Sequence, residues 1–269
     1  MNNLQTLHVV GYGGGTNSTA MLIGMHYHGI RPDRILFADT GCEQPHTYAY
    51  LPVMDEWLKV HGFPEITRLR YTDQNGMIQT LEEECLRLGI LPAIAYGHKD
   101  CSLKYKVGVQ DKFCNNDPIC QKIWAQGGKV TKYIGYDAGE ERRRTHAIVY
   151  DIVDKKYTSV YPLIDDWDWS REDCIRVIEQ EGLPLPGKSS CFFCPSMKKQ
   201  EIRTLYHQHR DLYERAIAIE KNAQPNLISV RGLGRNWSWQ DFVEADINQT
   251  VLCSMFPETN MPCGCYDGD

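Results

Sequence analysis

Three consecutive glycines near the start of the chain are followed by hydroxyl and amide side chains, a combination suited to holding an anion. Residues 7–12 predict a short buried strand, and residues 18–28 carry apolar side chains at helical spacing. A glycine turn between a strand and a helix aims backbone N–H groups and the positive end of the helix dipole at one point. The predicted anion site comprises Gly13, Gly14, Gly15, Thr16, Asn17 and Ser18.

The spacing of this glycine loop excludes two familiar phosphate loops. The dinucleotide pattern needs a third glycine at position 16 or 18, and the Walker pattern needs a Gly-Lys pair, and the loop has neither. A tight glycine turn in which Ser18 caps the helix is the alternative interpretation.

Cysteines form the second group of residues whose spacing suggests chemistry. Cys191 and Cys194, in a Cys-x-x-Cys pair, can present two thiolates to one metal ion. Cys101 and a C-terminal cysteine, Cys263 or Cys265, would complete four sulfur ligands. The cations that would favour the thiolate form are Lys188, Lys198 and Lys199. The alternative is a set of free, half-buried thiols.

The elements that must position the glycine loop alternate between strands and helices. Further strands are predicted in the stretches 35–38, 65–71 and 131–144. Asp39-Thr40-Gly41 follows the first of them and leads into a helix that runs to about Val60. This alternation predicts an α/β fold with a parallel sheet and ligands beyond the carboxyl ends of its strands. The loops at 13–18, 39–41 and 137–144 would then meet at one edge.

Composition bounds the class of protein. The chain has 269 residues, 42% of them apolar and 24% charged, as is ordinary for a folded protein. A net charge of −6 argues against a wholly basic nucleic-acid-binding surface but allows a local basic patch. The N-terminal sequence does not resemble a signal peptide and no window is apolar enough for a membrane span, so we expect a cytoplasmic protein with no membrane partner. Eleven cysteines, an odd number, argue against a disulfide framework.

The order of six motifs resembles the phosphoadenosine-phosphosulfate (PAPS) reductase-like branch of the PP-loop, or adenine nucleotide alpha-hydrolase, superfamily. The motifs are GGGTNS, FADTG, CSLKYK, IGYDAGEERR, YPLIDDWDWSREDCIRVIEQEGLPLP and KSSCFFCP. The resemblance spans roughly residues 7–205. It implies a Rossmann-like (HUP-type) parallel sheet with helices on both faces. It also implies that the glycine loop holds the phosphates of ATP, or of a related adenine nucleotide, with Mg²⁺.

The resemblance further implies roles for individual residues. The catalytic candidates are Ser18, Asp39, Glu140 and Arg144, and the nucleotide-binding set adds Thr40 and Gly41 to the glycine loop. In several reductase-like and nucleic-acid-sulfurating members, a cysteine at the position of Cys101 and a later Cys-x-x-Cys hold a [4Fe-4S] cluster. Zinc is the alternative for four sulfur ligands. Arg142 and Arg143 are expected to meet solvent or a polyanion.

The glycine loop departs from the usual Ser-Gly-Gly-x-Asp-Ser form of the superfamily. Gly13, Thr16 and Asn17 replace the leading serine, a middle residue that is often lysine, and the aspartate. A cation and an anion are lost together, so the local charge stays balanced. We therefore expect phosphate binding to be kept and fast ATP cleavage to be the property affected.

Two domains are predicted, a PP-loop nucleotide-binding α/β domain at 1–165 and a smaller helical, cysteine-rich region at 166–269. Ser170 and Asp173 resemble a capping box at the start of a helix. Residues 198–224 predict one long amphipathic helix.

Three further features allow two interpretations each. Trp167 and Trp169 could stack on a base or cover the sheet end, and we favour the second. The arginines and tryptophans of 231–242 suit single-stranded nucleic acid or a flap packed on the core. Cys114 and Cys120 could form a small separate site, but a reduced surface loop is expected.

The leading hypothesis is a PP-loop enzyme that activates an acceptor by adenylation and releases pyrophosphate, with sulfur transfer to a nucleic acid as its extension. One alternative is a reductase of adenylyl sulfate or phosphoadenylyl sulfate, although the chain lacks the Glu-Cys-Gly-Leu-His-like tail of those enzymes. Another is a non-catalytic module that senses a nucleotide or binds nucleic acid. A homodimer is left open.

Overall fold

The computed structural model describes residues 6–255 and contains five β-strands. They are β1 (His8–Tyr12), β2 (Arg34–Asp39), β3 (Ile66–Arg70), β4 (Val130–Tyr133) and β5 (Tyr157–Val160). All neighbours pair in parallel, in the order β3-β2-β1-β4-β5. The direction of the strand order reverses at β1, and open parallel sheets bind ligands at such a switch point. The predicted α/β fold with a parallel sheet is confirmed, and β5 is an addition to the predicted strands.

Helices connect the strands and form the rest of the chain. They are α1 (Thr16–Tyr27), α2 (Pro45–Val60), α3 (Leu81–Leu88), α4 (Asp100–Ser102), α5 (Gly108–Asn116), α6 (Pro118–Ala125), α7 (Glu141–Val153), α8 (Pro162–Asp165), α9 (Arg171–Gln180), α10 (Lys199–Gln208), α11 (Arg210–Ala223) and α12 (Trp239–Met255). A π-helical turn at Leu103–Val107 joins α4 to α5. Over residues 6–255, no helix combines the length and apolar character needed to cross a bilayer.

Apolar side chains on both sides of β1 explain why helices cover both faces of the sheet. Val10 and Tyr12 pack with residues of α1, α2 and α9, whereas Val9 packs with residues of α5 and α6. Alternate residues of a strand point to opposite faces, so this pattern requires a layer on each side. The predicted helices on both faces are confirmed.

The start of α9 is built as predicted. The Ser170 hydroxyl accepts a hydrogen bond from the Asp173 N–H at 3.2 Å, and the Asp173 carboxylate accepts one from the Ser170 N–H at 2.9 Å. Trp167, just before this helix, stacks on His28 with ring centroids 4.7 Å apart and lies over Gly24 of α1. Trp167 therefore packs on α1 at the edge of the core, in agreement with the interpretation we favoured.

Two predictions about local structure are wrong. The helix predicted over residues 198–224 is two helices, separated at His209, whose backbone is not helical, with φ −137° and ψ 61°. The amphipathic pattern continues through His209, so the pattern alone does not reveal the break. Cys114 and Cys120 do not lie in a surface loop. Both are buried in the core under β4, in α5 and α6.

Internal contacts divide the chain into two units. The sheet unit comprises Met1–Glu84 and Lys99–Phe192, and the helical unit comprises Cys85–His98 and Phe193–Asp269. Helix α9 belongs to the sheet unit because its buried side chains join the core around α1. The two units are groups of segments that pack together. They do not test the predicted domain boundary after residue 165, which stays a prediction.

Candidate functional site

The glycine loop connects β1 to α1 at the switch point of the sheet. Gly14 has φ +72°, and a Cβ there would lie 2.9 Å from Thr47 Cγ2, so this position requires glycine. Gly15 is the N-cap of α1 and contributes no side-chain cap, and the first N–H groups of a helix have no partner within it. The interpretation in which Ser18 caps the helix is therefore wrong, because α1 already begins at Thr16.

The Ser18 side chain stabilises the glycine loop through hydrogen bonds to the backbone of the loop. Its hydroxyl accepts a hydrogen bond from the Gly13 N–H at 3.2 Å and donates one to the Gly15 carbonyl at 3.1 Å. The residue is buried. In this arrangement the backbone amides at the start of α1, rather than the serine hydroxyl, are the groups that an anion would meet. The catalytic role of Ser18 stays a prediction.

Asp39 ends β2 at the same edge, and protein groups occupy both of its carboxylate oxygens. Oδ1 accepts from the Gly41 N–H at 2.8 Å and from the Tyr48 hydroxyl at 2.6 Å. Oδ2 accepts from Arg70 at 2.8 Å, through both Nε and Nη2. Burial, and then the hydrogen bond to Asp39, raise the pKa of Tyr48, so this hydroxyl remains a donor. Asp39 therefore holds the loop after β2, and its catalytic role stays a prediction.

The next two residues of this loop face inward. Gly41 has φ +75°, and a Cβ there would overlap the side chain of Thr80. The Thr40 hydroxyl donates to Glu43 Oε1 at 3.2 Å and lies 3.3 Å from Cys191 Sγ. Thr40 is thus buried against Glu43 and Cys191, whereas Gly41 is partly exposed.

The loop after β4 brings two carboxylates to the glycine loop. The Asn17 side-chain NH₂ donates to Asp137 Oδ2 at 2.9 Å and to Glu140 Oε2 at 3.0 Å. Arg171 Nη1 donates to the Asn17 side-chain oxygen at 2.6 Å. An aspartate at position 17 would place a third carboxylate against the other two. Asn17, where the superfamily pattern of the sequence analysis has aspartate, thus supplies an NH₂ donor to two carboxylates and an oxygen acceptor to an arginine.

Arg143 rather than Arg144 lies at this edge. Arg143 pairs with Glu140 and lies over the ring of Tyr136 at 4.2 Å. Arg144 points to the other side of α7, where its Nε bonds both oxygens of Asp165 at 2.9 and 3.0 Å. The expectation that Arg143 meets only solvent or a polyanion is corrected, and a catalytic role for Arg144 stays a prediction.

A second segment borders the glycine loop. Ser189 lies close to Gly15, since a Cβ on that glycine would come within 3.5 Å of Ser189 Cβ. His46 Nε2 donates to the Lys188 carbonyl at 3.0 Å, and the Gln44 N–H donates to the Ser190 carbonyl at 2.9 Å. Ser189 was not among the predicted site residues. The Lys-Ser-Ser stretch before Cys191 is the feature of the sequence that could have indicated that Ser189 lies at the site.

Cys191 is half-buried beside the buried residues Thr40 and Glu43, with Lys106 close by. Lys106 Nζ pairs with Glu43 Oε1 at 2.8 Å, and the other oxygen of this buried carboxylate has no hydrogen-bond partner among the described residues. Burial, and then the nearby Glu43 charge, raise the pKa of the Cys191 thiol, which favours the thiol form. Lys106 is a cation near Cys191, and its charge acts to lower the pKa of this thiol; the role predicted for Lys188, Lys198 and Lys199 stays a prediction.

Of the four predicted sulfur ligands, three lie in the part of the chain that the structure describes. Cys101, Cys191 and Cys194 are each half-buried. Cys263 and its alternative Cys265 lie outside the described residues. Over residues 6–255, no group of three or more His, Cys, Asp or Glu side chains could hold a metal ion. The predicted sulfur ligands and the [4Fe-4S] or zinc site therefore stay a prediction.

In the helical unit, a buried glutamate anchors the arginine- and tryptophan-containing segment. Glu220 accepts hydrogen bonds from the backbone N–H groups of Leu233, Trp239 and Gln240. Trp239 is fully buried, whereas Arg235 is exposed and adopts a left-handed backbone with φ +66°. The segment is therefore packed on its unit and presents arginine outward.

Comparisons with known proteins give fold-level similarities. No protein-family model matches the chain, and no curated protein matches it. A crystal structure of PAPS reductase from Candida auris, in a phosphate complex, is 12% identical, with 67% of this chain and 74% of that chain covered and a TM-score of 0.38. The U34-tRNA thiolase NcsA from Methanococcus maripaludis, with its [4Fe-4S] cluster, is 14% identical, with 93% and 73% covered and a TM-score of 0.41.

Proposed function

We propose that the sheet unit binds ATP or a related adenine nucleotide with Mg²⁺ and activates an acceptor by adenylation, with release of pyrophosphate. The observation that carries this proposal is the position of Asn17. Its amide joins the amino end of α1, which suits phosphate, to Asp137 and Glu140, which suit a cation.

The acidic edge argues for an anion that arrives with a metal ion. The carboxylates of Asp137 and Glu140 would repel a phosphate, an effect that Arg143 and Arg171 partly offset and that a metal ion between the carboxylates and the phosphates would reverse. Mg²⁺ is usually held by one or two carboxylates together with substrate phosphates, so this pair supplies enough carboxylates, and its present donors Asn17, the Gly139 N–H and Arg143 would have to give way to the ion. When bound, Mg²⁺ would neutralise charge that develops on the pyrophosphate.

The chain's own residues would position the nucleotide rather than attack it. Backbone N–H groups of the glycine loop bind the phosphates, Ser18 keeps the loop in shape, and Arg171 fixes the Asn17 side chain. Fixed donors of this kind stabilise charge without reorganising during the reaction.

The first experiment measures ATP binding by calorimetry with and without Mg²⁺, alongside pyrophosphate release. The proposal expects binding that requires Mg²⁺. Equal affinity in the presence of a chelator would contradict the assignment of Asp137 and Glu140. Binding with no pyrophosphate release for any acceptor tried would support the second candidate, a nucleotide-sensing module, which the engagement of Ser18 and Asp39 by protein groups favours.

A nucleic acid is the proposed acceptor class, and Arg235 supports it. A left-handed backbone is costly for any residue with a Cβ, and glycine would relieve this cost. An exposed arginine there suggests that its charge is used on a polyanion.

The variant Arg235→Gly removes the charge of the side chain and also removes the cost of the left-handed backbone, so its effects on binding and on stability can be told apart. The variant should be as stable as the parent or more stable by up to about 1 kcal/mol. Its affinity for a single-stranded oligonucleotide should fall, with the salt dependence reduced by about one unit of slope. Arg87→Gly, in α3, provides an exposed arginine as the control. Unchanged oligonucleotide binding would remove Arg235 from the acceptor surface.

The predicted cysteine site is tested by metal content and the optical spectrum of protein purified without oxygen. About four irons with sulfide would support a [4Fe-4S] cluster and sulfur transfer, whereas a zinc ion without colour would support a structural site. Protein free of metal would contradict the proposed ligands Cys101, Cys191, Cys194 and Cys263.

A further inference from the structure

A cavity of about 490 Å³ lies in the sheet unit between α2 and the edge strand β3. It is lined by Asp39, Tyr48, Leu51, Arg68, Arg70, Thr72 and Ile78. None of these residues belongs to the glycine loop or to the loop after β4. A cavity of this volume has the size of pockets that hold small organic ligands.

Two arginines of β3 form one wall of this cavity. Ile66, Arg68 and Arg70 alternate along the strand, so they share a face, and Ile66 packs into the core with residues of α2. The two arginines therefore leave the strand on the side of α2, with their Cα atoms about 7 Å apart. The exposed fraction of the side chain is 52% for Arg68 and 51% for Arg70.

Two aspartates hold these arginines in place without using all of their donors. Asp39 Oδ2 accepts from Arg70 at 2.8 Å through Nε and Nη2, and Asp55 Oδ2 accepts from Arg68 Nη2 at 3.3 Å. The other Asp55 oxygen accepts from the Ile66 N–H at 3.0 Å. A guanidinium has five N–H donors, so both arginines keep N–H groups that no described residue accepts.

A third cation adds charge at the rim of the cavity. Lys112 Nζ donates to the hydroxyl of Thr72, and it forms no ion pair with a described residue. Three cations thus stand against the two carboxylates that pair with them, Asp39 and Asp55. The surplus positive charge favours an anion, and the fork of a guanidinium matches the oxygens of a phosphate.

An exposed isoleucine gives the cavity an apolar wall. Ile78 is 58% exposed, and it ends a turn in which the Asp73 carboxylate accepts the N–H groups of Asn75 and Met77 at 2.8 and 2.9 Å. These hydrogen bonds hold the turn, and with it the isoleucine, at the cavity that Leu51 also lines. Inorganic phosphate would leave both apolar side chains unused, so the cavity suits a phosphate that carries an organic body.

We propose that this cavity binds an organic phosphate, with the phosphate on Arg68, Arg70 and Lys112 and the organic body on Leu51 and Ile78. Cations rather than carboxylates supply its charge, so binding here needs no Mg²⁺. The inference therefore stands whether or not the glycine loop binds ATP. A free nucleotide and a nucleic acid offer the same phosphate chemistry, and the experiment distinguishes these two sources.

Calorimetric titration of the full chain in a chelator tests the cavity separately from the Mg²⁺-dependent site proposed above. The probe is uridine monophosphate (UMP), which is not an adenine nucleotide. UMP should bind, and uridine and inorganic phosphate should each bind at least about tenfold more weakly, because each offers only half of the contacts. Absence of UMP binding up to millimolar concentrations, or equal binding of uridine or of inorganic phosphate, would overturn the proposal.

Three variants test the two walls of the cavity. Arg68→Gln should lower the affinity for UMP at least about fivefold, and Lys112→Gln should lower it several-fold. Ile78→Ser should weaken the binding of UMP but leave that of inorganic phosphate unchanged. Arg31→Gln is the matched control, because Arg31 is an exposed arginine that precedes β2 at the opposite edge of the sheet. Circular dichroism checks that each variant is folded.

The variants also give the results that would contradict the site. An Arg68→Gln variant that binds UMP like the parent would overturn it, and so would an equal loss in Arg31→Gln, which would show only a general effect of charge. An oligouridine that binds more tightly than UMP and is equally sensitive to Arg68→Gln would support the site with a nucleic acid as the source of the phosphate. Weaker binding of the oligouridine would support the site with a free nucleotide as the ligand.

Discussion

The loops after β2 and after β4 both bring carboxylates to the same edge of the sheet, but they use them differently. Asp39 is satisfied by a backbone amide, a tyrosine hydroxyl and an arginine, all from its own surroundings. Asp137 and Glu140 both accept from the neutral side-chain amide of Asn17 in the glycine loop, and each also has a donor of its own, the Gly139 N–H for Asp137 and Arg143 for Glu140. The comparison shows that both loops tie their carboxylates to protein donors, and that the loop after β4 is the one that joins its carboxylates to the glycine loop.

The largest effect should come from Asp39→Asn. The variant directs an amide NH₂ at groups that are themselves donors and leaves Arg70 without its partner, so we expect a loss of about 3 kcal/mol in the free energy of unfolding. Urea denaturation measures this loss. Asp55→Asn is the control, because Asp55 bonds Arg68 and a backbone N–H but is more exposed, and it should cost only about 1 kcal/mol. Folded Asp39→Asn should bind the Mg²⁺ nucleotide within a few-fold of the parent.

Glu140→Gln should behave in the opposite way. The neutral side chain can still bond Asn17 but gives up the charge that faces the metal ion, so Mg²⁺-dependent nucleotide affinity should fall about tenfold. The free energy of unfolding should change by less than about 0.5 kcal/mol. Calorimetric titration of the variant, with the exposed Glu179→Gln as the control, checks this result. If Asp39→Asn weakened binding more than Glu140→Gln in fully folded protein, the distinction between the two loops would be lost.

The smallest effect concerns the capping box that positions α9 and, with it, Arg171. Hydrogen bonds from Ser170 lower the pKa of Asp173 below its ordinary value. Its stabilisation is therefore fully present above the ordinary carboxylate pKa and is lost as the pH falls through the lowered one. Asp173→Asn should melt earlier than the parent at neutral pH. The two melting temperatures should converge in acid, and a constant difference across pH would show that the ionised carboxylate is not the cause.

The sheet edge was predictable because its signals are local. Apolar runs followed by Gly13–Ser18, Asp39-Thr40-Gly41 and Asp137–Glu140 indicate strand ends, and parallel strands bring these ends together. Which residues meet across the edge was not predictable, because Asn17 contacts groups more than a hundred positions away in sequence. The choice of Arg143 over Arg144 depends on the residue at which α7 begins.

The burial of Cys114 and Cys120 shows a different limit. Asn-Asn-Asp-Pro between them suggested a loop, but Asp117 caps a new helix and Pro118 occupies its first turn. A single cap separates α5 from α6, so both cysteines stay in helices that pack on the sheet. The sequence Asp-Pro is found at the start of helices as well as in turns. Only the apolar residues that follow the proline distinguish a helix start from a turn.

The most direct test of the nucleotide site is the Mg²⁺-dependent ATP affinity of Asn17→Asp, measured beside the parent protein. The account predicts a loss of at least about tenfold, because a third carboxylate would remove the NH₂ donor to Asp137 and Glu140 and repel both of them, while Arg171 would keep its bond to position 17. Unchanged or tighter binding, with faster pyrophosphate release, would contradict it. In that case aspartate would suit position 17 better than asparagine, and the hydrogen bonds of Asn17 to Asp137 and Glu140 would not explain why asparagine is present.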